Sequence, residues 1–434
     1  MKKGMSTLFF VLASFCLAGC GANKDDDLKG TVETSSDIET SSDITSEVAE
    51  TPSDMITAKF TDNHEYVHGT DGYYSLVDEG YTTPVKLQYS GTCWATAAAS
   101  TMESNFLLKF GKEISIDPKS IVNAVYYDDK TSGYFMKADK YFWGGWSWMI
   151  AETLSNGFGD YTLKYVFDYN GSSIEELQAA IKEYGAVVID VNDLKTSSFG
   201  AFDGYKTQIY TDGDEFDHAS LIVGWDDNFP KEYFTTEASR DGAWLVQNTK
   251  GGSWGNHGFF WMSYDSVIDS AYVFGLTDEY EKVVAYDTGN ENKISTGETT
   301  TIANKFHEPG KLKAVGTYTP VDNESATIEI YDDDKELVVG TLNVTFEQNG
   351  YHVVALDEPI DVTNYTIRIK FYGDAPVEGE SVKMDALLDY KADINPGESF
   401  VCMDGEWFDL SDPQTAKALG LDFTPNNACI KALY

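Results

Sequence analysis

The stretch from Gly91 to Gly111, GTCWATAAASTMESNFLLKFG, constrains the fold more than any other part of the sequence. Its apolar residues recur at spacings of three and four, which indicates one buried face of a helix that Gly111 ends. Cys93 would then stand at the helix N-terminus, where unpaired backbone N–H groups and the helix dipole favour a thiolate. The stretch therefore predicts either a nucleophilic cysteine or a small buried residue ahead of a core helix.

The first nineteen residues have the features of an export signal rather than of a folded domain. Lys2 and Lys3 precede an apolar segment, Thr7 to Leu17, which is too short to span a bilayer as a stable helix. The segment ends in Leu-Ala-Gly-Cys, which resembles the lipobox of bacterial lipoproteins. That resemblance implies a lipoprotein signal peptide over residues 1–19 and lipid attachment at Cys20. The alternative is an ordinary secretory signal.

Residues 20–57 are rich in Ser, Thr, Asp and Glu and carry the repeat ETSSDI twice. A segment with so few apolar residues cannot bury a core, so we predict an acidic, disordered tether. The whole chain has a formal net charge of −40, which repels nucleic acid and anionic lipid head groups. Of the five cysteines, Cys16 lies in the signal segment, Cys20 is the candidate lipid site and Cys93 begins the predicted helix. Cys402 and Cys429 are left, and the sequence neither establishes nor excludes a disulfide between them.

Two patterns further along the chain predict elements that could bring chemistry to Cys93. Residues Ser173 to Gly185 are predicted to form a helix with a capping box, and a buried strand, Ala186 to Val191, follows it. His218 shortly precedes an apolar run, Leu221 to Val223, so a core strand would fix its imidazole. A lone histidine of this kind is either a base or a core residue whose hydrogen bonds are satisfied.

Polar residues and glycines at the ends of other predicted elements complete the candidate set. Asn248 ends a predicted strand, where its amide could orient an imidazole or simply favour the turn that follows. Gln88 precedes Cys93 by five residues, so its amide could donate to an oxyanion. Gly144 and Gly145 lack a Cβ, which permits either the close approach of a substrate backbone or a tight turn.

The order and spacing of PVKLQ, GTCWA, WGGWSW, DHASLIVGW, WLVQN and GGSWG resemble those of the papain-like cysteine peptidases, family C1. The resemblance covers about residues 70–265 and implies a two-lobed α+β peptidase domain, which we expect over residues 58–278. It implies hydrolysis through a Cys–His–Asn triad and a thioester, with no metal and no cofactor. The implied site residues are the nucleophile Cys93, the general base His218, the orienting Asn248, the oxyanion donor Gln88, the backbone-binding Gly144 and Gly145 with the adjacent Trp146, and Trp254 on the leaving-group side.

The sequence departs from the family pattern in three places. Gln88 stands five residues before Cys93, where the family usually has six. Lys250 occupies the position at which the family usually has a tryptophan that shields the Asn–His hydrogen bond, so we expect that bond to be wetter and weaker. Only the acidic segment precedes the peptidase-like region, so we expect no helical inhibitory prodomain.

From Thr300 onward, apolar and polar residues alternate with a period of two, which predicts an antiparallel β-sandwich. Asn349-Gly350 predicts a hairpin, Asp412 to Gly420 predicts a short helix, and Trp407 is expected in the core. The order of these segments resembles the lectin-like domain that follows the peptidase in a group of bacterial papain-like proteins. We therefore predict a lectin-like β-sandwich over residues 279–434, for which the resemblance alone implies carbohydrate as a partner.

The sequence as a whole favours an extracellular, lipid-anchored cysteine endopeptidase at the bacterial cell surface. Its expected partners are protein or peptide substrates, the membrane through Cys20, and carbohydrate through the C-terminal domain, with no nucleic acid. One alternative is a catalytically weak or inactive peptidase fold that acts as an adhesin or as a carbohydrate- or protein-binding module. Another keeps the acyl-enzyme but transfers the acyl group to an amine, which only product analysis would distinguish.

Overall fold

The computed structural model describes residues 71–434, except residues 128–131, 194–199, 203–204, 211–215, 235–237, 290 and 385. The predicted signal peptide, the tether and Cys20 therefore lie outside the described residues. The α-helices of the described part are α1 (Cys93–Phe110), α2 (Pro118–Val125), α3 (Ser147–Leu154), α4 (Ile174–Tyr184) and α5 (Pro413–Leu419). None of them is long and apolar enough to cross a membrane.

Strands make up most of the remaining regular structure, together with one 3-10 turn at Lys231–Tyr233. The strands of the first domain are β1 (Tyr73–Ser75), β2 (Gly133–Met136), β3 (Thr162–Asp168), β4 (Val187–Val191), β5 (Gly200–Phe202), β6 (Tyr205–Gln208), β7 (His218–Asp226), β8 (Ala243–Gln247), β9 (Phe259–Ser263) and β10 (Ser270–Thr277). The later strands are β11 (Val283–Val284), β12 (Glu291–Ile294), β13 (Thr300–Phe306), β14 (Gly310–Thr319), β15 (Glu324–Asp332), β16 (Leu337–Phe346), β17 (Gly350–Val362), β18 (Tyr365–Phe371), β19 (Ala375–Glu378), β20 (Val382–Lys383), β21 (Leu388–Lys391), β22 (Ser399–Met403), β23 (Glu406–Asp409) and β24 (Ile430–Leu433).

Helix α1 lies at the centre of the first domain's core. It ends at Gly111, which has a left-handed φ of 62°, as the sequence predicted. The helix is buried from Trp94 to Leu107 on nearly every side, not on one face, because it packs between the strands β4, β7 and β10 and the helices α2 and α3. Periodicity alone could not show that both faces would be covered.

A buried carboxylate on α1 is held by several donors. Glu103 accepts hydrogen bonds from the Thr83 hydroxyl at 2.7 Å and from the Ile116 N–H at 2.6 Å. Lys86 completes the set with an ion pair at 2.9 Å. These partners offset the free-energy cost of burying a charge, and they fix the chain ahead of Gln88 against the helix.

The predicted helix after residue 173 is confirmed with its cap. The Glu176 N–H donates to Ser173 Oγ at 3.2 Å, and the Ser173 N–H donates to Glu176 Oε2 at 2.7 Å, which is a capping box at the start of α4. Strand β4 follows directly and is fully buried, also as predicted.

A thirteen-stranded sheet carries the centre of the molecule. Its order is β11-β24-β14-β17-β3-β10-β4-β7-β8-β9-β6-β5, with β1 paired to β7. His218 is the first residue of β7, and its Cα partner across the ladder is Val191 of β4. The histidine is therefore part of a buried central strand with neighbours on both sides, which gives its backbone little freedom.

The C-terminal region forms two antiparallel layers around one core, as its alternation predicted. A six-stranded sheet, β16-β15-β18-β13-β22-β23, supplies Ile328 and Ile369 to this core. Strands β14 and β24 of the large sheet supply Val315 and Ile430 from the other side. Helix α5 begins after Asp412 and ends at Gly420, which confirms the predicted short helix.

Two predictions for this region are wrong, and one open question is answered. Strands β16 and β17 belong to different sheets, so Asn349-Gly350 connects two layers and does not form a hairpin. Gly350 has φ 121°, and a Cβ there would lie 2.0 Å from the Val166 carbonyl oxygen of β3. Trp407 lies on the edge strand β23 and is 42% exposed, not in the core. Cys402 and Cys429 form no disulfide.

The two domains share hydrogen-bonded sheets, which the sequence did not indicate. Strand β17 of the second domain pairs with β3 of the first through Gly350↔Phe167 and two further residue pairs. Strand β21 pairs with β2 in a small three-stranded sheet. The Tyr318 hydroxyl also donates to Ser155 Oγ at 2.8 Å, just beyond the end of α3. The second domain is therefore built onto the first rather than tethered to it.

Candidate active site

The N-terminus of α1 presents Cys93 as its first residue. Thr92 precedes it and fixes this helix end, because the Tyr89 N–H donates to Thr92 Oγ1 at 3.0 Å and the Thr96 hydroxyl donates to the Thr92 carbonyl at 2.8 Å. Cys93 is half-buried, whereas Trp94 beside it is fully buried. The predicted placement of the thiol at a helix N-terminus is confirmed, and a thiolate there would benefit from the N–H groups of the first turn.

His218 and Asn248 form the central contact of the site. The His218 Nε2 and Asn248 Oδ1 atoms are 2.9 Å apart. Asn248 Oδ1 also accepts from the Thr249 N–H at 2.7 Å, so this atom is an acceptor and His218 Nε2 donates to it. His218 Nδ1 has no hydrogen-bond partner among the described residues. The neutral ring is thus held with Nε2 protonated and Nδ1 as its basic nitrogen.

Adjacent strands explain how residues thirty positions apart meet. Strands β7 and β8 pair antiparallel, with Leu221 opposite Gln247, so the end of β8 lies near the start of β7. Asn248 follows β8 and is fixed by its own N–H, which donates to the Gly258 carbonyl at 2.9 Å. Both side chains are therefore carried by buried backbone.

Burial and two nearby charges act on the imidazole. His218 is 4% exposed, and this burial is the largest effect and lowers the pKa of its imidazolium. The negative charge of Asp193 raises that pKa, the positive charge of Lys250 lowers it, and the bond to Asn248 raises it. The net effect lowers the pKa of the His218 imidazolium, and a neighbouring thiolate would act in the opposite direction.

Gln88 is brought to the same site through Thr249. The Thr249 hydroxyl donates to Gln88 Oε1 at 2.6 Å, and the Gln88 N–H donates to the Thr249 carbonyl at 2.7 Å. The Gln88 side-chain amide donates to the Ser90 carbonyl at 2.7 Å, and Ser90 has a left-handed φ of 50°. The shorter spacing to Cys93 is therefore accommodated by a tight turn onto which the amide folds back.

Lys250 does not leave the His–Asn bond open to water. Its Nζ lies 2.8 Å from Asp193 Oδ2 and 5.4 Å from the centre of the Trp254 ring. Asn248 is only 1% exposed, so the expectation of a wetter orienting bond is wrong. The backbone of the Gln88 segment pairs with residues 249–251, which follow Asn248 directly.

Backbone conformation and close packing explain why positions 144 and 145 are glycine. Gly144 has φ 87°, and a Cβ on Gly145 would lie 2.5 Å from the indole of Trp94. Among the described residues, neither the N–H nor the carbonyl of Gly145 makes a hydrogen bond, whereas the Gly144 carbonyl accepts from the Tyr126 hydroxyl at 2.8 Å. The segment thus lies against the start of α1, and the N–H and the carbonyl of Gly145 have no hydrogen-bond partner among the described residues.

The two tryptophans that the sequence analysis assigned to the site lie in separate segments of the structure. Trp146 is half-buried, precedes α3 and stacks on Trp148, with ring centres 6.1 Å apart. Trp254 packs edge-on against Phe260 at 5.4 Å, on the Lys250 side of the site. One indole therefore belongs to the glycine segment, and the other belongs to the loop after β8.

Sequence reasoning missed two groups that contact this site. Thr249 joins Asn248 to Gln88, and the residue pattern gave no sign of that role. Asp193 pairs with Lys250 but lies two residues after β4, with no motif around it. No group of three or more His, Cys, Asp or Glu side chains that could hold a metal ion occurs in the part of the chain that the structure describes.

Comparison with known proteins identifies both domains. The family described as papain family cysteine protease matches residues 152–280, and the lectin like domain family matches residues 285–434. The first match includes His218, Asn248 and Trp254 but begins after Cys93. Neither match alone covers half of the chain.

Curated relatives are peptidases of limited similarity. Rat procathepsin L is 26% identical over 202 residues, which is 43% of this chain and 59% of that protein. Mouse cathepsin K is 25% identical over 208 residues, covering 42% of this chain and 56% of that protein. The chain therefore spans less than two thirds of the length of the curated relatives that it matches.

Solved structures agree in fold over both domains. The cysteine protease and lectin-like domains of Cwp84, a surface layer associated protein of Clostridium difficile, align with a TM-score of 0.67 at 21% identity. That alignment covers 85% of this chain and 89% of the other. A second structure, the clostridial cysteine protease Cwp84 after propeptide cleavage, aligns with the same TM-score at 20% identity over 83% of this chain and 98% of that one. The predicted α+β architecture, a papain-like fold followed by a lectin-like domain, is confirmed.

Proposed function

We propose that this chain, which carries a papain-family cysteine protease domain followed by a lectin-like domain, is a cysteine endopeptidase that hydrolyses peptide bonds. The triad would be Cys93, His218 and Asn248, with Gln88 as an oxyanion donor. The substrate backbone would pair with the peptide group of Gly145, beside Trp146, and the leaving group would pass Trp254. The proposal needs no metal and no cofactor.

One observation carries this proposal. The 2.9 Å bond between His218 Nε2 and Asn248 Oδ1 holds the ring on a buried strand and leaves Nδ1 without a partner in the described chain. A core histidine would have both nitrogens satisfied, because an unpaired buried nitrogen costs free energy. A basic nitrogen held in this way, in a domain whose central helix begins with a thiol, is the arrangement that a nucleophile and base require.

The residues then account for acyl transfer. His218 Nδ1 takes the thiol proton, and the Cys93 thiolate, stabilised at the start of α1, attacks the peptide carbonyl. The oxyanion would be bound by the Cys93 N–H and by an N–H of Gln88, whose amide has a second N–H besides the one donated to Ser90. His218 then protonates the leaving amine, and water attacks the thioester with His218 again as the base.

We further propose that the enzyme is anchored to the outer face of the bacterial membrane by lipid on Cys20. Support comes from the lipobox-like end of the signal segment and the acidic tether that follows it. The structural similarity to a surface layer associated protein is consistent with this location. Its partners would be surface or extracellular proteins, and the tether would give the folded part room to reach them.

The lectin-like domain would have two roles. It stabilises the peptidase through the β3–β17 ladder and through Tyr318, whose hydroxyl also contacts the carbonyls of Ala151 and Glu152 at 3.2 Å near the end of α3. Helix α3 begins directly after the proposed substrate segment, so this contact would hold that segment in place. Carbohydrate binding by this domain is proposed from its family alone.

A weakly active or inactive binding protein is the second candidate. It is favoured by Gln88, whose side-chain amide donates to the Ser90 carbonyl and whose Oε1 is bound by Thr249. An oxyanion donor that must break or share such a bond stabilises the transition state less. The intact His218–Asn248 bond favours the enzyme over this candidate.

Labelling of the thiol across the pH range tests the proposal. A protein of residues 58–434 would be treated with an epoxide or iodoacetamide and the modified cysteine identified by mass spectrometry, beside Cys93→Ala, His218→Ala and the matched control Cys402→Ala. We expect Cys93 to react well below the ~8.5 pKa of an ordinary thiol, and only while His218 is present. Reaction at alkaline pH alone, indifferent to His218, would favour the binding protein. Analysis of peptide products would separate hydrolysis from acyl transfer to amines.

A further inference from the structure

A partly buried salt bridge joins the two segments that flank His218. Lys250 Nζ lies 2.8 Å from Asp193 Oδ2, and the two side chains are 22% and 17% exposed. Lys250 belongs to the loop that carries Asn248, the hydrogen-bond partner of His218. Asp193 follows the end of β4, whose residue Val191 is the cross-strand partner of His218. The pair therefore links both elements that fix the ring.

Asp193 is also fixed to the residue that precedes the histidine. Its N–H donates to Asp217 Oδ1 at 2.7 Å, and the Asp217 N–H donates to the Val191 carbonyl at 3.2 Å. The Tyr210 hydroxyl is 3.5 Å from the other carboxylate oxygen of Asp193. The carboxylate thus has defined contacts on several sides and is more constrained than an ordinary surface acid.

We propose that Asp193 and Lys250 are a pair of positioning residues whose opposite charges cancel at His218 and whose contact keeps the two flanking segments together. Proteins of the papain family usually carry an uncharged tryptophan at the position of Lys250, whereas this chain has one member of an ion pair there. A single lysine beside a catalytic imidazole would oppose the imidazolium, and Asp193 compensates for it. The inference rests on the proposed role of His218 as the base.

The electrostatics agree with this geometry. Asp193 raises the pKa of His218 and Lys250 lowers it, while Asn248 acts through its hydrogen bond. Ionisable groups on the elements around His218, among the described residues, include Asp217, which precedes it in the chain, and Cys93, the first residue of α1, which packs against β7. Because the two charges have opposite effects on the His218 pKa, removing either charge should leave the effect of the other uncompensated.

The experiment measures the His218 pKa directly in the protein of residues 58–434, with carbon-13 labelled histidine followed by NMR and the His218 signal assigned with His218→Gln. Lys250→Met leaves Asp193 uncompensated, so we expect the pKa to rise by about 0.5 to 1 unit. Asp193→Asn leaves Lys250 uncompensated, so we expect a fall of about the same size. The double variant should return close to the original value.

Matched controls separate this role from a merely structural one. Lys250→Arg and Asp193→Glu keep the charges, so they should keep the pKa within about 0.3 unit, and circular dichroism would establish that every variant is folded. The alkaline limb of peptide hydrolysis should move in the same directions as the NMR pKa.

The outcomes distinguish this inference from the proposed function. Shifts in the same direction, or no shift in either single variant, would overturn the paired role even if the enzyme cleaves peptides. Opposite shifts in a protein that cleaves nothing would support the pair and count against the peptidase.

Discussion

The two sides of the candidate active site are built differently. The His218–Asn248 side is carried by β7 and by the end of β8, both fully buried. The Gln88 side is carried by a loop in which Leu87 and Tyr89 are exposed and Ser90 has φ 50°. Strands fix a base precisely, whereas a loop can move a donor toward or away from the oxyanion. Under the proposed function, proton transfer is preorganised here and oxyanion stabilisation is the adjustable part.

The largest effect should come from the strand side. His218→Ala removes the proposed base, and we expect kcat/KM for a cleaved peptide to fall at least about a thousandfold. His218→Gln keeps a polar side chain of similar size, and its kcat/KM should fall as far. A loss of less than tenfold in either variant would mean that the ring does not act as the base.

Asn248→Ala tests the orientation of the ring separately from its presence. Without Oδ1 the ring can turn, and a misplaced base should cost about a hundredfold in kcat. The Thr249 N–H also loses its acceptor, so the free energy of unfolding should drop by about 1 kcal/mol, measured by urea denaturation. An activity within twofold of the original would show that packing alone orients His218.

Gln88→Ala tests the loop side. Because the proposed donor would act on the oxyanion, kcat should fall about ten- to a hundredfold while KM changes little. Gln88→Glu is the matched control, since it keeps an oxygen for the Thr249 hydroxyl but loses the N–H donor. Equal activity of Gln88→Ala and the original protein would place oxyanion binding elsewhere and weaken the comparison.

The smallest effect on rate should come from Asp190, whose influence is on stability. Burial raises the pKa of this carboxyl from its ordinary value to about 6, and Ser270 and Ser147 donate to it. Because the folded-state pKa exceeds the unfolded one, its contribution to stability is present below about pH 4 and is lost as the pH rises through about 6. Asp190→Asn should therefore become relatively more stable than the original protein, by about 1 to 3 kcal/mol, between pH 4 and pH 7.

The free energies of unfolding of Asp190→Asn and of the original protein can be compared by denaturant unfolding at pH 4.5 and pH 7.5. A stability difference that does not change with pH would show that Asp190 titrates normally. Since Asp190 lies opposite Ala219 in the β4–β7 ladder, the result also reports how dry the strand side of the site is.

Much of the local structure could be predicted from the sequence. The limits of α1 and α4, the capping box at Ser173, and strands β4 and β8 follow from short-range patterns that the structure confirms. The alternation after residue 300 likewise predicted the sandwich. The hairpin prediction at Asn349-Gly350 was wrong because a turn dipeptide indicates a change of direction but not which sheet contains the next strand.

The sequence by itself determined the elements, their order and the residue types available for chemistry, because caps, periodicity and spacing act over a few residues. The tertiary structure alone decided which of these residues meet. Thr249 and Gln88 are 161 positions apart, and Lys250 and Asp193 are 57 apart, so no local pattern relates them. The β3–β17 ladder joins the domains for the same reason: strand partners are chosen by packing across the whole chain, after local preferences have fixed what can pack.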